Sequence, residues 1–508
     1  VATSFPFRTY REGQREAIDH AREAFERGKR FVVIEAPTGA GKSAMAVALS
    51  REANSAFILT AQKLLQDQYQ RDFPYLTMMK GRSNYDCLVA PTHAAAAPFI
   101  VGRRFPECGD CPYFTAKDRA MAADGTIMNY AYYLAELNHA GGFGSRELLV
   151  LDEAHGAESA LMNFVQVAVD DQGLGRAGIA TTIPSAFDEL GLFDFAEDLV
   201  PDLLDRSHEL ESGLREGKVP QAAAVQQMQA KQWCDQLVGR LELLRDSRYE
   251  DFVEWTVERR HSDRGGVLMF KPVTVAPFAE SHLFRFGERV LMLSATILDA
   301  PTYLRSLGIR EEDAEVISVA STFPPENRPV VLRPAARLTR HYLDDELPKL
   351  AAEIGAIMDA HPDEKGVIHA HSYRIANYIA ANLPAAKRSR LVTHYSTDGR
   401  DAALDSHIAS DRPTVLLTPS MTEGIDLADD LSRWQVICKI PYPYLGDPQI
   451  AARQKIDPAW YDWRTCLTVV QGYGRSVRSE RDHAVTYVLD ADFPKFFKRH
   501  RRRFPNWF

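Results

Sequence analysis

The chain has little cysteine, no long apolar run and no internal repeat, and each absence excludes a class. Six cysteines in 508 residues are too few for a disulfide scaffold. No stretch approaches the roughly 18 uninterrupted apolar residues of a membrane span, and Val1 to Tyr10 lacks the charged and apolar blocks of a signal peptide. The expectation is a cytoplasmic protein with no membrane partner. There is no repeat of roughly 20 to 50 residues, and the only low-complexity tract is Ala94 to Ala97. At 45% hydrophobic and 25% charged residues, the composition excludes disorder and collagen-like or mucin-like chains. A length of 508 predicts roughly two to four domains, each with its own core.

The net charge of −9 argues at first against a phosphate-rich partner. Its distribution changes that conclusion. Residues 157–267 hold 21 Asp and Glu against 11 Lys and Arg, a net of −10, which leaves the other 397 residues at +1. One interval carries all the acidity.

Short β-prone apolar runs alternate with amphipathic stretches, the pattern of parallel strands in an α/β layer. The first set is Phe31 to Ala36, Ala56 to Thr60, Thr126 to Tyr130, Glu147 to Leu151 and Arg289 to Leu293. After the proline-rich stretch 323–329 the rhythm restarts at Gly366 to His371, Arg390 to His394, Thr414 to Thr418, Trp434 to Ile440 and Ala484 to Leu489. This predicts two α/β domains joined near residue 325. Two intervals interrupt the first: residues 81–124, which hold clustered cysteines, and residues 157–267, mostly helical, with Gln221 to Asp246 one long helix.

After the first strand stands Ala36-Pro37-Thr38-Gly39-Ala40-Gly41-Lys42-Ser43, leading into a helix-prone run. Such a turn aims backbone N–H groups of Thr38, Gly39, Ala40 and Gly41 at phosphates; Lys42 reaches the terminal phosphates and the Ser43 hydroxyl ligates Mg²⁺. Ala36 occupies the place where the simplest phosphate-loop pattern has its first glycine. Leu148 to Leu151 is followed by Asp152-Glu153-Ala154-His155. An Asp-Glu pair after a strand is by itself a solvated turn; beside a phosphate loop, Asp152 can hold Mg²⁺ and Glu153 can orient or deprotonate water. Far downstream, Gln471-Gly472-Tyr473-Gly474-Arg475-Ser476-Val477-Arg478 puts Gln471, Arg475 and Arg478 on one helical face, fit to stabilise the charge of phosphoryl transfer. Together the three motifs describe an ATPase.

The set resembles the superfamily 2 helicases of the DinG/XPD type, the bacterial or phage-like DinG branch in particular, and the resemblance runs over essentially the whole chain. Ser294-Ala295-Thr296 is similar to the motif coupling hydrolysis to movement, and His155, Ser294 and Thr296 are its expected coupling residues. Glu423-Gly424-Ile425-Asp426 resembles the motif joining nucleotide and DNA sites, which adds Glu423, Gly424 and Asp426 to the nucleotide contacts. Arg11 and Gln14 match the adenine-recognition element, and Lys80 to Tyr85 the lead-in to a cluster domain.

The resemblance implies two RecA-like parallel-sheet motor domains, with an iron–sulfur-type insertion and a helical arch in the first. Motor domain 1 would then comprise residues 1–80, 125–156 and 268–325, the cluster domain 81–124, the arch 157–267 and motor domain 2 326–508. It implies ATP and Mg²⁺ as cofactors and 5′ to 3′ movement on single-stranded or forked DNA, in a bacterial or phage-infected cell. Lys42, Asp152, Glu153, Gln471, Arg475 and Arg478 would be catalytic.

The chain departs from the family at the cluster. Family members use four cysteines, and only Cys87, Cys108 and Cys111 match; Phe99 stands at the equivalent of the fourth. Three outcomes stay open: His93 or Asp110 completes the site, an incomplete cluster or zinc is held, or the domain folds without metal. Cys234, Cys438 and Cys466 are expected to be buried small hydrophobes. Candidates for a strand-binding path are Thr60, Gln62, Lys80, Arg82, Tyr85, Ser372, Tyr373, His394, Tyr395 and Ser420, at the C-terminal ends of strands or at the cluster domain. The acidic arch would repel phosphate and serve as a gate or a protein-docking face. The alternative function is a DNA- or RNA-stimulated ATPase that binds or remodels nucleic acid without unwinding.

Overall fold

The structure is a computed structural model that describes residues 4–90, 92–97, 109–216, 221–250, 252–262, 265–394, 399–419, 427–474, 476–477 and 479–508. Its sixteen strands follow in chain order. The first group is β1 (Phe31–Glu35), β2 (Ala56–Thr60), β3 (Thr77–Met78), β4 (Gly125–Asn129) and β5 (Arg146–Asp152). Next come β6 (Val167–Asp170), β7 (Trp255–Ser262) and β8 (Gly265–Pro272), then β9 (Gly287–Ser294) and β10 (Ala314–Ser318). The last six are β11 (Val330–Ala336), β12 (Gly366–His369), β13 (Leu391–Thr393), β14 (Val415–Thr418), β15 (Trp434–Ile437) and β16 (Val485–Asp490).

They form three sheets. The first, in the order β10-β1-β9-β5-β2-β4-β3, and the second, β11-β16-β15-β12-β14-β13, have parallel pairings throughout. Strands β2, β12, β14 and β15 are buried from end to end, as helices on both faces require. The fold class is therefore α/β with two RecA-like parallel sheets, as expected. All ten anticipated runs are strands, with ends shifted by no more than three residues.

The acidic interval is less purely helical than its composition suggests. Two long helices, Glu189–Arg215 and Gln221–Arg248, pack against each other. Beside them lies an antiparallel sheet, β6-β8-β7, not expected from the sequence. In β8 buried and half-buried residues alternate although Val267 to Phe270 is a continuous apolar run, because only one face of this strand packs on the core.

The two motor sheets are joined by packing as well as by the chain. The helix Pro458–Tyr473 places Trp460, Tyr461, Trp463 and Leu467 in the core cluster of the first sheet. Trp463 Nε1 donates to the Ile297 carbonyl at 2.7 Å, and Trp460 Nε1 to the buried Glu158 carboxylate at 2.9 Å. Arg503 pairs with Asp299 at 2.8 Å. Cys234, Cys438 and Cys466 are fully buried, and burial pushes the thiols of Cys234 and Cys466 up to about 11 and about 12. Among the described residues no helix is long and apolar enough to cross a membrane.

Candidate nucleotide site

Three neighbouring strands of the first sheet, β1, β9 and β5, end side by side. Glu35 is in register with Ser294, and Asp152 with Leu293. The phosphate-loop sequence, the Ser-Ala-Thr sequence and the Asp-Glu-Ala-His sequence therefore leave the sheet at one edge, the carboxyl edge where open α/β sheets bind ligands. Ala36 N donates to the Ser294 carbonyl at 2.9 Å, fixing the loop to its neighbour.

The loop itself is held by backbone geometry. Gly39 and Gly41 have φ of 84° and 76°, a region costly for residues with a Cβ. Gly41 caps the helix Lys42–Glu52, so Lys42 and Ser43 open its first turn. A Cβ on Gly41 would come within 2.2 Å of Gln14 Nε2. That amide donates to the carbonyls of Ala40 at 2.8 Å and Gly41 at 3.2 Å, while Gln14 Oε1 accepts from Arg11 N at 2.7 Å; the Arg11 guanidinium donates to the Gly39 carbonyl. Arg11 and Gln14 thus brace the loop through its carbonyls, and Ala40 N donates to the Pro37 carbonyl at 3.1 Å; the other N–H groups of such a turn can serve an anion.

Asp152 is buried, with two defined partners. Glu153 N donates to Oδ1 at 3.0 Å and Tyr69 OH donates to Oδ2 at 2.8 Å. Burial first, then the adjacent Glu153 charge, push the carboxyl up to about 6, while Lys42 and the Tyr69 hydrogen bond oppose the rise. Glu153 has a left-handed φ of 50°, the kind of local strain that surrounding contacts must sustain. Tyr130 OH donates to the Asp152 carbonyl at 3.1 Å and Tyr303 OH to the Ala154 carbonyl at 2.9 Å.

The three expected coupling residues meet. His155 Nδ1 lies 2.9 Å from Ser294 Oγ and 3.3 Å from Glu153 Oε2, and Thr296 N donates to Ser294 Oγ at 3.1 Å. Glu35, unremarked in the sequence, accepts from Ile297 N at 2.7 Å and Leu298 N at 2.9 Å, and so anchors the turn after Thr296. Gln471 lies on the helix Pro458–Tyr473, and its buried amide nitrogen has no hydrogen-bond partner among the described residues. Arg475 and Arg478 lie outside the described residues, as do Glu423, Gly424 and Asp426.

The candidate strand-binding residues divide. Ser372, Tyr373 and His394 follow β12 and β13, with β14 between those strands, so they share the carboxyl edge of the second sheet. Tyr373 is exposed and stands edge-on to His394 at 6.3 Å, while the Ser372 hydroxyl caps the next helix by accepting from Ile375 N. Thr60 is buried and its hydroxyl donates to the Gln62 carbonyl at 3.1 Å, which shapes the turn that presents Gln62. Lys80 pairs with Asp67 at 2.6 Å, Tyr85 OH accepts from Lys80 N, and Arg82 covers the Tyr113 ring at 5.1 Å. Tyr395 and Ser420 lie outside the described residues.

At the cysteine segment, Asp86 and His93 form an isolated antiparallel bridge and Cys87 N donates to the Thr92 carbonyl at 2.8 Å. Cys111 precedes the helix Pro112–Ala122. Cys87 and Cys111 are free thiols, half-buried; Cys108 and Phe99 lie outside the described residues. Among the described residues no three His, Cys, Asp or Glu side chains gather as metal ligands. Cys87, His93, Asp110 and Cys111 thus supply no group of three by themselves, and the expected set that joins them to Cys108 lies outside the described residues.

Fold and site define a class: a two-motor, RecA-like architecture with a phosphate-loop nucleotide site. Comparison with known proteins narrows it. A family model described as type III restriction enzyme, res subunit, matches residues 8–172, and one described as helicase C-terminal domain matches residues 354–508. The ATP-dependent DNA helicase YoaA of Escherichia coli strain K12 is 23% identical over 96% of this chain and 92% of its own. The ATP-dependent DNA helicase DinG of Photobacterium profundum is 21% identical over 76% of this chain and 68% of its own. Among solved structures, an XPD helicase superposes with a TM-score of 0.69 at 13% identity, covering 98% of both chains. An apo XPD structure gives 0.62 at 14% identity, covering 96% of this chain and 98% of its own. In sequence the chain is similar to DinG-type helicases and in fold to XPD, the resemblance that its ordered motifs carry.

Proposed function

We propose that the chain is an ATP-dependent DNA helicase that moves 5′ to 3′ on single-stranded or forked DNA, hydrolysing ATP between its two motor sheets. The observation that carries this reading is the meeting of three motifs at the ends of β1, β9 and β5, with His155 hydrogen-bonded to Ser294. The named relatives supply the substrate and the DinG/XPD resemblance supplies the direction. Residues 1–80, 125–156 and 268–325 act as one motor, 326–508 as the other, with 81–124 and 157–267 inserted in the first.

ATP lies against the loop Thr38 to Gly41, its phosphates facing backbone N–H groups and Lys42. The hard oxygen donors Ser43 and Asp152 suit Mg²⁺, and Gly41 keeps clear the place of the Gln14 amide that braces the loop, where a Cβ would intrude. When bound, Mg²⁺ neutralises charge building on the phosphates. Glu153 orients and deprotonates water, and Gln471, Arg475 and Arg478 approach from the second motor. Glu423, Gly424 and Asp426 line the same cleft. The Glu153–His155–Ser294–Thr296 chain carries the state of the phosphates to the turn braced by Glu35. The strand crosses the carboxyl edges of both sheets past Gln62 and Tyr373. It also passes Lys80, Arg82 and Tyr85.

One observation favours a second reading, hydrolysis stimulated by DNA or RNA without productive unwinding: among the described residues no three metal-ligating side chains gather around Cys87 and Cys111. The test compares unwinding of a forked duplex bearing a 5′ tail with hydrolysis stimulated by single-stranded DNA or RNA. Unwinding that needs the 5′ tail supports the helicase; stimulation by DNA without unwinding supports the remodeller, and stronger stimulation by RNA supports an RNA substrate.

A further inference from the structure

We propose that Tyr69 is a positioning residue of the ATP site, whose phenol orients Asp152 and so prepares the carboxylate meant for Mg²⁺ before nucleotide arrives. This rests on the ATPase reading above. Tyr69 lies on the helix Lys63–Asp72, outside every motif that marks the site in the sequence. It is nevertheless among the largest fully buried side chains of the described residues, and its hydroxyl donates to Asp152 Oδ2 at 2.8 Å across 83 positions of sequence.

A buried phenol costs free energy unless its hydroxyl is hydrogen-bonded, and this one is bonded within the catalytic set. An ordinary phenol is protonated at neutral pH, so it is a donor here. Its ring is wedged against Phe73, with centroids 5.9 Å apart, and Phe73 in turn packs on Phe7 and Tyr75. The hydroxyl therefore has little freedom. With Glu153 N on Oδ1 and Tyr69 on Oδ2, the Asp152 carboxylate is fixed in orientation by one donor on each oxygen. Each carboxylate oxygen can accept about two hydrogen bonds, so both retain a lone pair for the metal or its water. Partners of this kind commonly change metal affinity about 10- to 100-fold when removed.

The experiment is Tyr69→Phe in the full chain, read by binding of a fluorescent ADP analogue titrated with Mg²⁺ and repeated in EDTA. The expected result is a Mg²⁺ midpoint raised about tenfold, with affinity in EDTA unchanged. In steady-state hydrolysis the half-saturating Mg²⁺ should rise while kcat at saturating Mg²⁺ stays within about threefold, the split expected of a group acting on metal binding rather than on chemistry. Phe73→Leu, which loosens the ring but keeps the hydroxyl, should lower the melting temperature and move the Mg²⁺ midpoint less than Tyr69→Phe does. An unchanged midpoint in Tyr69→Phe, a lowered one, or an equal shift in Phe73→Leu would overturn the proposal. A wild-type chain that binds no nucleotide would overturn the ATPase reading, and the inference with it.

Discussion

The carboxyl edge of the first sheet and the cysteine segment that follows it are built in opposite ways. At the edge, three adjacent strands deliver Ala36, Asp152 and Ser294 to neighbouring positions, and the backbone and side-chain hydrogen bonds of Gln14, Glu35, Tyr69, Tyr130 and Tyr303 hold the connecting turns. The described parts of this segment, residues 82–90, 92–97 and 109–111, are framed differently: two single-turn 3₁₀ helices and one isolated bridge organise them, and the His93 Nδ1 is buried without a hydrogen-bond partner among the described residues. A site assembled by sheet register has its geometry before any ligand binds; one assembled from loop thiols needs the metal to supply it.

That contrast can be broken by experiment. Lys42→Ala should lower ATP turnover by ~10³ or more while DNA affinity stays within about twofold, as measured by phosphate release and by anisotropy of a labelled strand. Turnover near wild type would remove the phosphate loop from the site. Glu153→Gln should cost ~10²–10³ in turnover with Mg²⁺-nucleotide binding retained; loss of binding instead would make Glu153 a structural partner of His155.

Asp152 permits a test with a sign. Its native carboxyl is raised above the unfolded value, so ionising it opposes folding: the penalty is absent well below pH 4, grows as pH rises toward 6 and is fully present at neutrality. Asp152→Asn should therefore stabilise the nucleotide-free chain at pH 7 by on the order of 2 kcal/mol, with a smaller gain at pH 5, while losing Mg²⁺-dependent nucleotide binding. A melting temperature that does not rise at pH 7 would show the charge to be well solvated.

At the other region, Cys111→Ser should leave DNA-stimulated hydrolysis within about twofold, since no thiol belongs to the hydrolytic set; a tenfold loss would join the two regions functionally. Metal content and the visible spectrum of anaerobically purified protein decide among cluster, zinc and neither. The smallest effect is expected in the acidic arch. Asp194 and Glu197 pair with Arg248, whereas Asp198 and Asp202 are exposed, with no ion pair among the described residues. Asp198→Asn with Asp202→Asn should slow DNA dissociation about twofold at low salt, an effect that fades as salt screens it. Identical dissociation at low salt would exclude an electrostatic gate.

Much of the frame was legible because parallel core strands are continuous apolar runs, and ten of them stand out. The strands that escaped notice have other patterns. β7 runs through the charged Glu258, Arg259 and Arg260, β11 carries Pro334 at a sheet edge, and β3 is two residues long. Glu35 and Tyr69 escaped for a different reason. Nothing local distinguishes a tyrosine that fills a core from one whose hydroxyl reaches a carboxylate 83 residues away.

By itself, the sequence determined the α/β class, the two sheets and the residues from Thr38 to Ser43, Asp152 to His155 and Ser294 to Thr296 that meet at one edge, because strand periodicity and glycine-rich turns are local properties. Only the tertiary structure decided that Arg11 and Gln14 brace the loop, that Tyr69 and Glu35 belong to the site, and that among the described residues no three of Cys87, His93, Asp110 and Cys111 gather as ligands. Those facts depend on which distant groups share a buried volume, and hydrogen bonds there are settled by packing, not by spacing along the chain.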